Sequence, residues 1–149
     1  MHNSFVHLHL HTEYSLVDGL LRISPLMEAT AKNIMPALAV TEQGNLFSMV
    51  KFYRQAQSHG IKPIIGAELK IREHEGDRDP SAIVLLCQNL EGYHCLTRLI
   101  TRSYTDGQYL GVPHIERNWL SGNTDGLIAL SSARQGNIGK AIIARNTDQ

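Results

Sequence analysis

Five strand-like runs alternate with helix-like stretches along this 149-residue chain, and that alternation sets its architecture. Residues 5–10 (FVHLHL) alternate with period two. Residues 36–41 (PALAVT), 62–71 (KPIIGAELKI), 82–87 (AIVLLC) and 126–131 (GLIALS) are short apolar runs. Between them, residues 24–33 open with Ser24 as a cap and Pro25 at the first helical position, as helix starts prefer. Residues 45–60 place Leu46, Met49, Val50 and Tyr53 on one helical face, with Asn45 before them and Gly60 after. Residues 90–104 and 137–146 complete the helices. Residues 72–81 form a polar loop, and a loose segment runs from 104 to about 113. Short apolar strands separated by helices predict parallel βαβ units. An open doubly wound sheet and a piece of a β/α barrel both satisfy the pattern, and in both ligands gather at the C-terminal ends of the strands.

Composition narrows the function. Hydrophobic residues make up 42% and charged residues 19%, the balance of a globular chain with one moderate core. The formal net charge is zero, so the basic excess of a free-standing nucleic-acid binder is missing. Two cysteines, Cys87 and Cys95, are too few for a disulfide scaffold and read as buried thiols. No basic stretch followed by an apolar run opens the chain, and no apolar run approaches the ~18 residues of a membrane span. These features predict a cytoplasmic protein.

The most unusual residues lie near the start. Alternate residues on a strand share a face, so Phe5, His7, His9 and His11 point one way and Val6, Leu8 and Leu10 the other. Thr12, Ser15 and Asp18 follow before Gly19. Glu42 and Gln43 lie just past the second strand and Glu68 on the third. Imidazoles and carboxylates converging from strand ends suit a borderline divalent metal such as zinc or manganese. His9, His11 and Glu68 are therefore expected to meet at one end of the sheet. Glu42 alone reads as a solvated acid near a helix start. His2, His59, His74, His94 and His114 read as surface or helix-end histidines.

Three stretches carry a family resemblance: HLHLHTEYSLVDG (7–19), ALAVTEQGNLFSMVKFYRQAQSHGIKPIIGAEL (37–69) and NWLSGNTDGLIALSSARQGNIGK (118–140). They resemble the amino-terminal PHP (polymerase and histidinol phosphatase) domain of bacterial DNA polymerase III alpha subunits. The likeness runs from about Phe5 to Arg145. It implies an α/β fold: a partial, distorted β/α barrel of about five mainly parallel strands alternating with helices. Residues 1–149 would be the amino-terminal part of that domain, with its remainder and the polymerase domains absent. Active PHP members hydrolyse phosphoesters with two or three metals. By the resemblance, His9 and His11 match the H-x-H pair, Asp18 the acid of S-L-L-D-G, and Glu68 the third-strand glutamate. His7, Glu42 and Gln43 would stand just behind these ligands. Three positions depart: Gln43, Ala82 and Ala133 replace two histidines and a cysteine of the family's ligand set. The resemblance thus implies a reduced site holding at most one weakly bound zinc or manganese, and it assigns no catalytic residue. It implies a structural module that docks the proofreading exonuclease subunit and other replicase subunits, meets DNA only through parts of the parent chain not present here, and has no membrane role. The alternative is a free-standing metal-dependent PHP phosphoesterase.

Overall fold

The computed structural model describes residues 5–73, 79–122 and 124–145. Helix α1 (Ile23–Lys32), strand β1 (Ala37–Gln43), helix α2 (Met49–Ser58) and strand β2 (Lys62–Arg72) come first. Then follow β3 (Ser81–Cys87), α3 (Leu90–Thr105), β4 (Gln108–Tyr109), β5 (Val112–Pro113), β6 (Ile115–Glu116), β7 (Leu127–Leu130) and α4 (Asn137–Ile143). The main sheet has the order β1–β2–β3–β7, with β6 pairing β2, and β4 and β5 form a separate pair. The chain divides into two compact units between Ala67 and Glu68, inside β2.

In the first unit α1 and α2 pack beside β1. Ile23, Met27 and Thr30 fall on one face of α1, and Phe52 and Ala56 on one face of α2, each at helical spacing. With Leu10, Leu38, Val40 and Ile61, the apolar ones (Ile23, Met27, Phe52 and Ala56) form the core. Two helix starts differ from expectation. The N-cap of helix α1 is Arg22, two residues before Ser24, and it makes no side-chain cap bond. Helix α2 begins at Met49 because Asn45 spends its side chain on a turn, its Oδ1 accepting from Phe47 N–H at 3.0 Å. Phe52 and Ala56 face inside, and Val50 and Tyr53, expected on the inner face, are exposed.

The histidine run is not a regular strand. Its carbonyls meet β1 at two points, His7 O accepting from Ala39 N–H and Leu10 O from Thr41 N–H, both at 2.9 Å. Between these bonds two residues, Leu8 and His9, oppose one, Val40, which is the geometry of a bulge. The chain bends at Leu8 and His9 to absorb the extra residue. Strict face alternation is lost there: Leu10 is buried in the core while Leu8 is exposed.

In the second unit α3 lays Cys95, Leu96 and Leu99 inward. Burial, with Cys95 nearby, pushes the Cys87 thiol up to about 11, so it stays protonated. Strand β6 runs parallel to β2, pairing Ile71 with Ile115 and Arg72 with Glu116. Strand β7 is antiparallel to β3, from Val84 opposite Leu130 to Cys87 opposite Leu127. The segment after α3 supplies the parallel partner, β6, to β2; the chain then turns at Gly126, φ 75°, and returns along β3 in the opposite sense.

The stretch expected to be loose holds a β4–β5 hairpin closed by Leu110 and Gly111, at φ 51° and 78°. Two positive φ values are what a two-residue type I′ turn demands, and leucine lacks the glycine or asparagine tolerance for them. Leu110 is 86% exposed and packs little there. Leu110→Asn should therefore raise stability by about 1 kcal/mol, read as a higher denaturation midpoint at unchanged slope. An unchanged or lower midpoint would refute the strain.

Candidate metal centre

The segment after the histidines is fastened by one buried acid. Glu42, at the end of β1, is 1% exposed. Its Oε2 accepts from Thr12 N–H at 3.1 Å and from the Ser15 hydroxyl, and its Oε1 accepts from the Thr12 hydroxyl. Thr12 and Ser15 are themselves buried. Ser15 Oγ also accepts from Gln43 N–H at 3.2 Å. One residue earlier on β1, Thr41 Oγ1 accepts from Leu10 N–H at 2.8 Å. Glu42 is thus not the solvated acid expected from sequence. It fixes Thr12, and so the residue before it, His11.

His9 and His11 stack edge to face with ring centroids 5.0 Å apart. Glu68 on β2 is 4% exposed. Ligand atoms of His9, His11 and Glu68 all lie within 4.8 Å of one another. β2 is continuous through residue 68. Two imidazoles and one carboxylate form a three-ligand donor set of the kind that binds zinc or a similar borderline ion and leaves coordination positions open.

The other expected residues take different places. Asp18 does not join the three-residue group; its Oδ1 is 3.3 Å from His11 Nδ1, and its Oδ2 accepts from Gln43 Nε2 at 3.0 Å. His7 is exposed, with its ring edge-on to Phe5 at 4.7 Å. Ala82 is buried on β3 and Ala133 is exposed, neither offering a ligand atom. His59 and His94 are exposed as expected, and His2 and His74 lie outside the described residues. His114 departs from expectation: it is buried, burial lowers its pKa, and its N–H bonds the Gly107 carbonyl at 3.0 Å. The anchoring roles of Thr12, Ser15 and Thr41 were not foreseen. Their signal was the unbroken series of hydroxyl and carboxyl side chains, T-E at one strand end and T-x-x-S after the histidines.

The PHP domain profile matches residues 7–149. The chain belongs to the PHP domain family. Its PHP sequence is 53% identical over 143 residues to DNA polymerase III subunit alpha of Pseudomonas fluorescens, covering 96% of this chain and 12% of that protein. It is 51% identical over 140 residues to the Pseudomonas aeruginosa subunit, covering 94% of this chain and 12% of that protein, and 39% identical over 143 residues to the subunit of Escherichia coli K12, 96% and 12%. The PHP chain thus spans about one eighth of the length of these relatives.

Solved structures agree on the fold. An amidohydrolase from Chromobacterium violaceum, solved with bound sulfate and no metal, aligns with a TM-score of 0.51 at 21% identity over 66% of this chain and 32% of its own. A provisionally assigned metal-dependent phosphoesterase from Bifidobacterium adolescentis aligns with a TM-score of 0.52 at 12% identity over 68% and 33%. Among the described residues of this PHP domain, no helix is long and apolar enough to cross a membrane.

Proposed function

We propose that this PHP domain is the amino-terminal region of a bacterial replicative DNA polymerase alpha subunit, a cytoplasmic DNA-directed DNA polymerase. In that role it is a structural module that docks the proofreading exonuclease subunit and other replicase subunits. The observation that carries this reading is the 53% identity to an alpha subunit across 96% of the chain. Nucleotidyl transfer onto DNA and contact with DNA would belong to other parts of the parent chain.

In this reading the site is a reduced one. His9, His11 and Glu68 would hold a single zinc or manganese ion, with Asp18 beside His11. A bound ion would supply Lewis-acid character and an activated water. The chain's own residues fix the ligands: Glu42 fastens Thr12, and Asp18 stands against His11. Phosphoester hydrolysis needs a further positive centre on the phosphoryl oxygens. Gln43, Ala82 and Ala133 stand where the family's further ligands would, and none of them supports that centre.

The test has two arms. Elemental analysis and calorimetry with zinc or manganese should give at most about one ion per chain, with affinity lowered more than about 100-fold in His9→Ala. The purified exonuclease subunit of the same organism should bind the chain, and neither a phosphate monoester nor single-stranded DNA should be hydrolysed. Phosphate release by the unmodified protein, lost in His9→Ala, would replace this reading with the free-standing phosphoesterase.

A further inference from the structure

We propose that the open cavity between β2, the turn at Ala133–Gln135 and α4 is a binding site for a phosphate monoester, held by Lys70 and Arg134 without a metal ion. The cavity lies within the second unit, and none of His9, His11 and Glu68 lines it. The site therefore stands or falls apart from the metal reading.

The cavity, of about 610 Å³, gathers three positive side chains, Lys70, Arg134 and Lys140, around one acid, Asp79. Lys140 and Asp79 answer each other. The Lys140 ammonium donates to the Asp79 carbonyl at 2.9 Å and the Pro80 carbonyl at 3.0 Å, and its Nζ lies 2.8 Å from Asp79 Oδ1. An ammonium has three hydrogens, so this one is fully engaged and its charge is matched. Among the described residues neither Lys70 nor Arg134 makes an ion pair. Lys70 is half-buried. Burial lowers the pKa of His114, and the charges of Arg72 and Lys70 lower it further. Lys70 thus sits among Arg72, His114, Arg134 and Lys140, while Glu68, the nearest acid along its strand, is grouped with His9 and His11. A half-buried ammonium whose neighbours are basic needs a counter-charge.

Two unmatched positive charges select a doubly charged anion. The Arg134 guanidinium is a planar fork able to engage two oxygens at once, and Lys70 supplies a compact charge for a third. Pro80 and Ile143 add apolar wall, so the space beyond the anion suits a carbon substituent. A phosphate monoester has both features. The turn that carries Arg134 is stiff. Ser132 and Ala133 hold left-handed conformations, φ 47° and 45°. Gly139 of α4 has no room for a β-carbon, which would stand 1.9 Å from the Ala133 carbonyl oxygen. Strain of this kind persists where the surroundings fix it, and it clusters at ligand sites.

The probe is methyl phosphate, titrated into the nitrogen-15-labelled chain with EDTA at constant ionic strength and about pH 7.5, where a monoester is largely dianionic. Saturable shifts should appear at the amides of Lys70, Arg134, Gln135 and Lys140. Dimethyl phosphate, with one charge, should bind at least about tenfold more weakly. Lys70→Met and Arg134→Gln should each weaken methyl phosphate binding about tenfold, the worth of one hydrogen bond to a charged group. Arg98→Gln, the same charge change at an exposed position of α3, should stay within about twofold. Asp79→Asn acts in the opposite direction. It removes the acid and releases the charge of Lys140, so affinity should rise about three- to tenfold, a gain that a damaged fold cannot produce. Shifts no larger than those given by chloride would overturn the site. So would dimethyl phosphate bound as tightly as the monoester, Arg98→Gln as harmful as Arg134→Gln, or Asp79→Asn without a gain. Binding that appears only when zinc replaces EDTA would move the anion to the metal centre and overturn the site as well, whereas a chain that binds methyl phosphate but no metal would leave it standing.

Discussion

Glu42→Ala should cost about 3–5 kcal/mol, a large part of the total for a domain of this size. Three donors converge on this carboxylate: the Thr12 amide, the Thr12 hydroxyl and the Ser15 hydroxyl. Hydrogen bonds to a charged group are worth roughly 1.5–3 kcal/mol each, and they are not additive. What decides the magnitude is that the donors have nowhere else to go. Thr12 is 0% exposed and Ser15 4%, so water cannot replace the acid without opening the segment. Opposing this is the cost of burying a carboxylate, which removal of the side chain relieves. That relief is partial because the donors left behind are buried polar groups in their turn. Glu42→Gln keeps the volume but presents an NH2 group to a donor, and should lose about 2 kcal/mol. Chemical denaturation gives the free energies. Amide exchange locates the effect, because the Thr12 and Leu10 amides should lose protection before those of α1. A loss under about 1 kcal/mol with Thr12 exchange unchanged would mean that the contacts to Glu42 hold nothing.

The same acid illustrates where sequence reasoning stopped. A glutamate after an apolar run is usually solvated, and nothing local to "AVTEQ" says that Thr12 and Ser15, about thirty residues earlier, supply its donors. The metal ligands were legible for the opposite reason: three histidines at alternate positions are uncommon enough to be noticed without knowing their partners. Even so, strict alternation was the wrong local geometry. A bulge between His7 and Leu10 breaks it, and no glycine marks the place. The helices were legible as elements, while the buried face of α2 was not: Phe52 and Ala56 are buried where Val50 and Tyr53 were expected. The β4–β5 hairpin escaped notice because leucine, at Leu110, occupies a position that turn chemistry reserves for asparagine or glycine. His114 looked like a surface residue, since burial of a lone histidine is decided by tertiary contacts. Strand β7 looked parallel because its own sequence cannot say which edge or direction the returning chain will take.

Gly92→Ala sets two opposing effects against each other, and the larger should win by about 2 kcal/mol in the destabilising direction. Gly92 is the third residue of α3, and within a helix alanine is favoured over glycine by about 0.8–1.0 kcal/mol. A β-carbon at this position, however, would stand 1.9 Å from the Gly126 carbonyl oxygen and 2.5 Å from its carbon. These are backbone atoms, so no rotamer change can clear them. The carbonyl is also committed, accepting from Gln88 N–H at 2.8 Å, and the next residue begins β7. Nor can Gly126 easily yield: it sits at φ 75°, and a β-carbon on it would meet Asn89 Oδ1 at 2.2 Å. That same Asn89 oxygen caps α3 by accepting from Gly92 N–H at 3.0 Å. Alanine must therefore push the first turn of α3 off the entry to β7, breaking the cap or the Gln88 bond. Overpacking of this kind costs typically 1–3 kcal/mol, and more where backbone is the obstacle. That outweighs the propensity gain. Denaturation of Gly92→Ala should show the loss, and amides of Leu127–Leu130 should exchange faster as the β3–β7 ladder loosens. Glu91→Ala, one residue earlier and exposed, should stay within about 0.5 kcal/mol and serves as the control. A Gly92→Ala protein as stable as the parent would mean that α3 can tilt away from Gly126 freely, and that the close approach of helix to strand contributes nothing to the second unit.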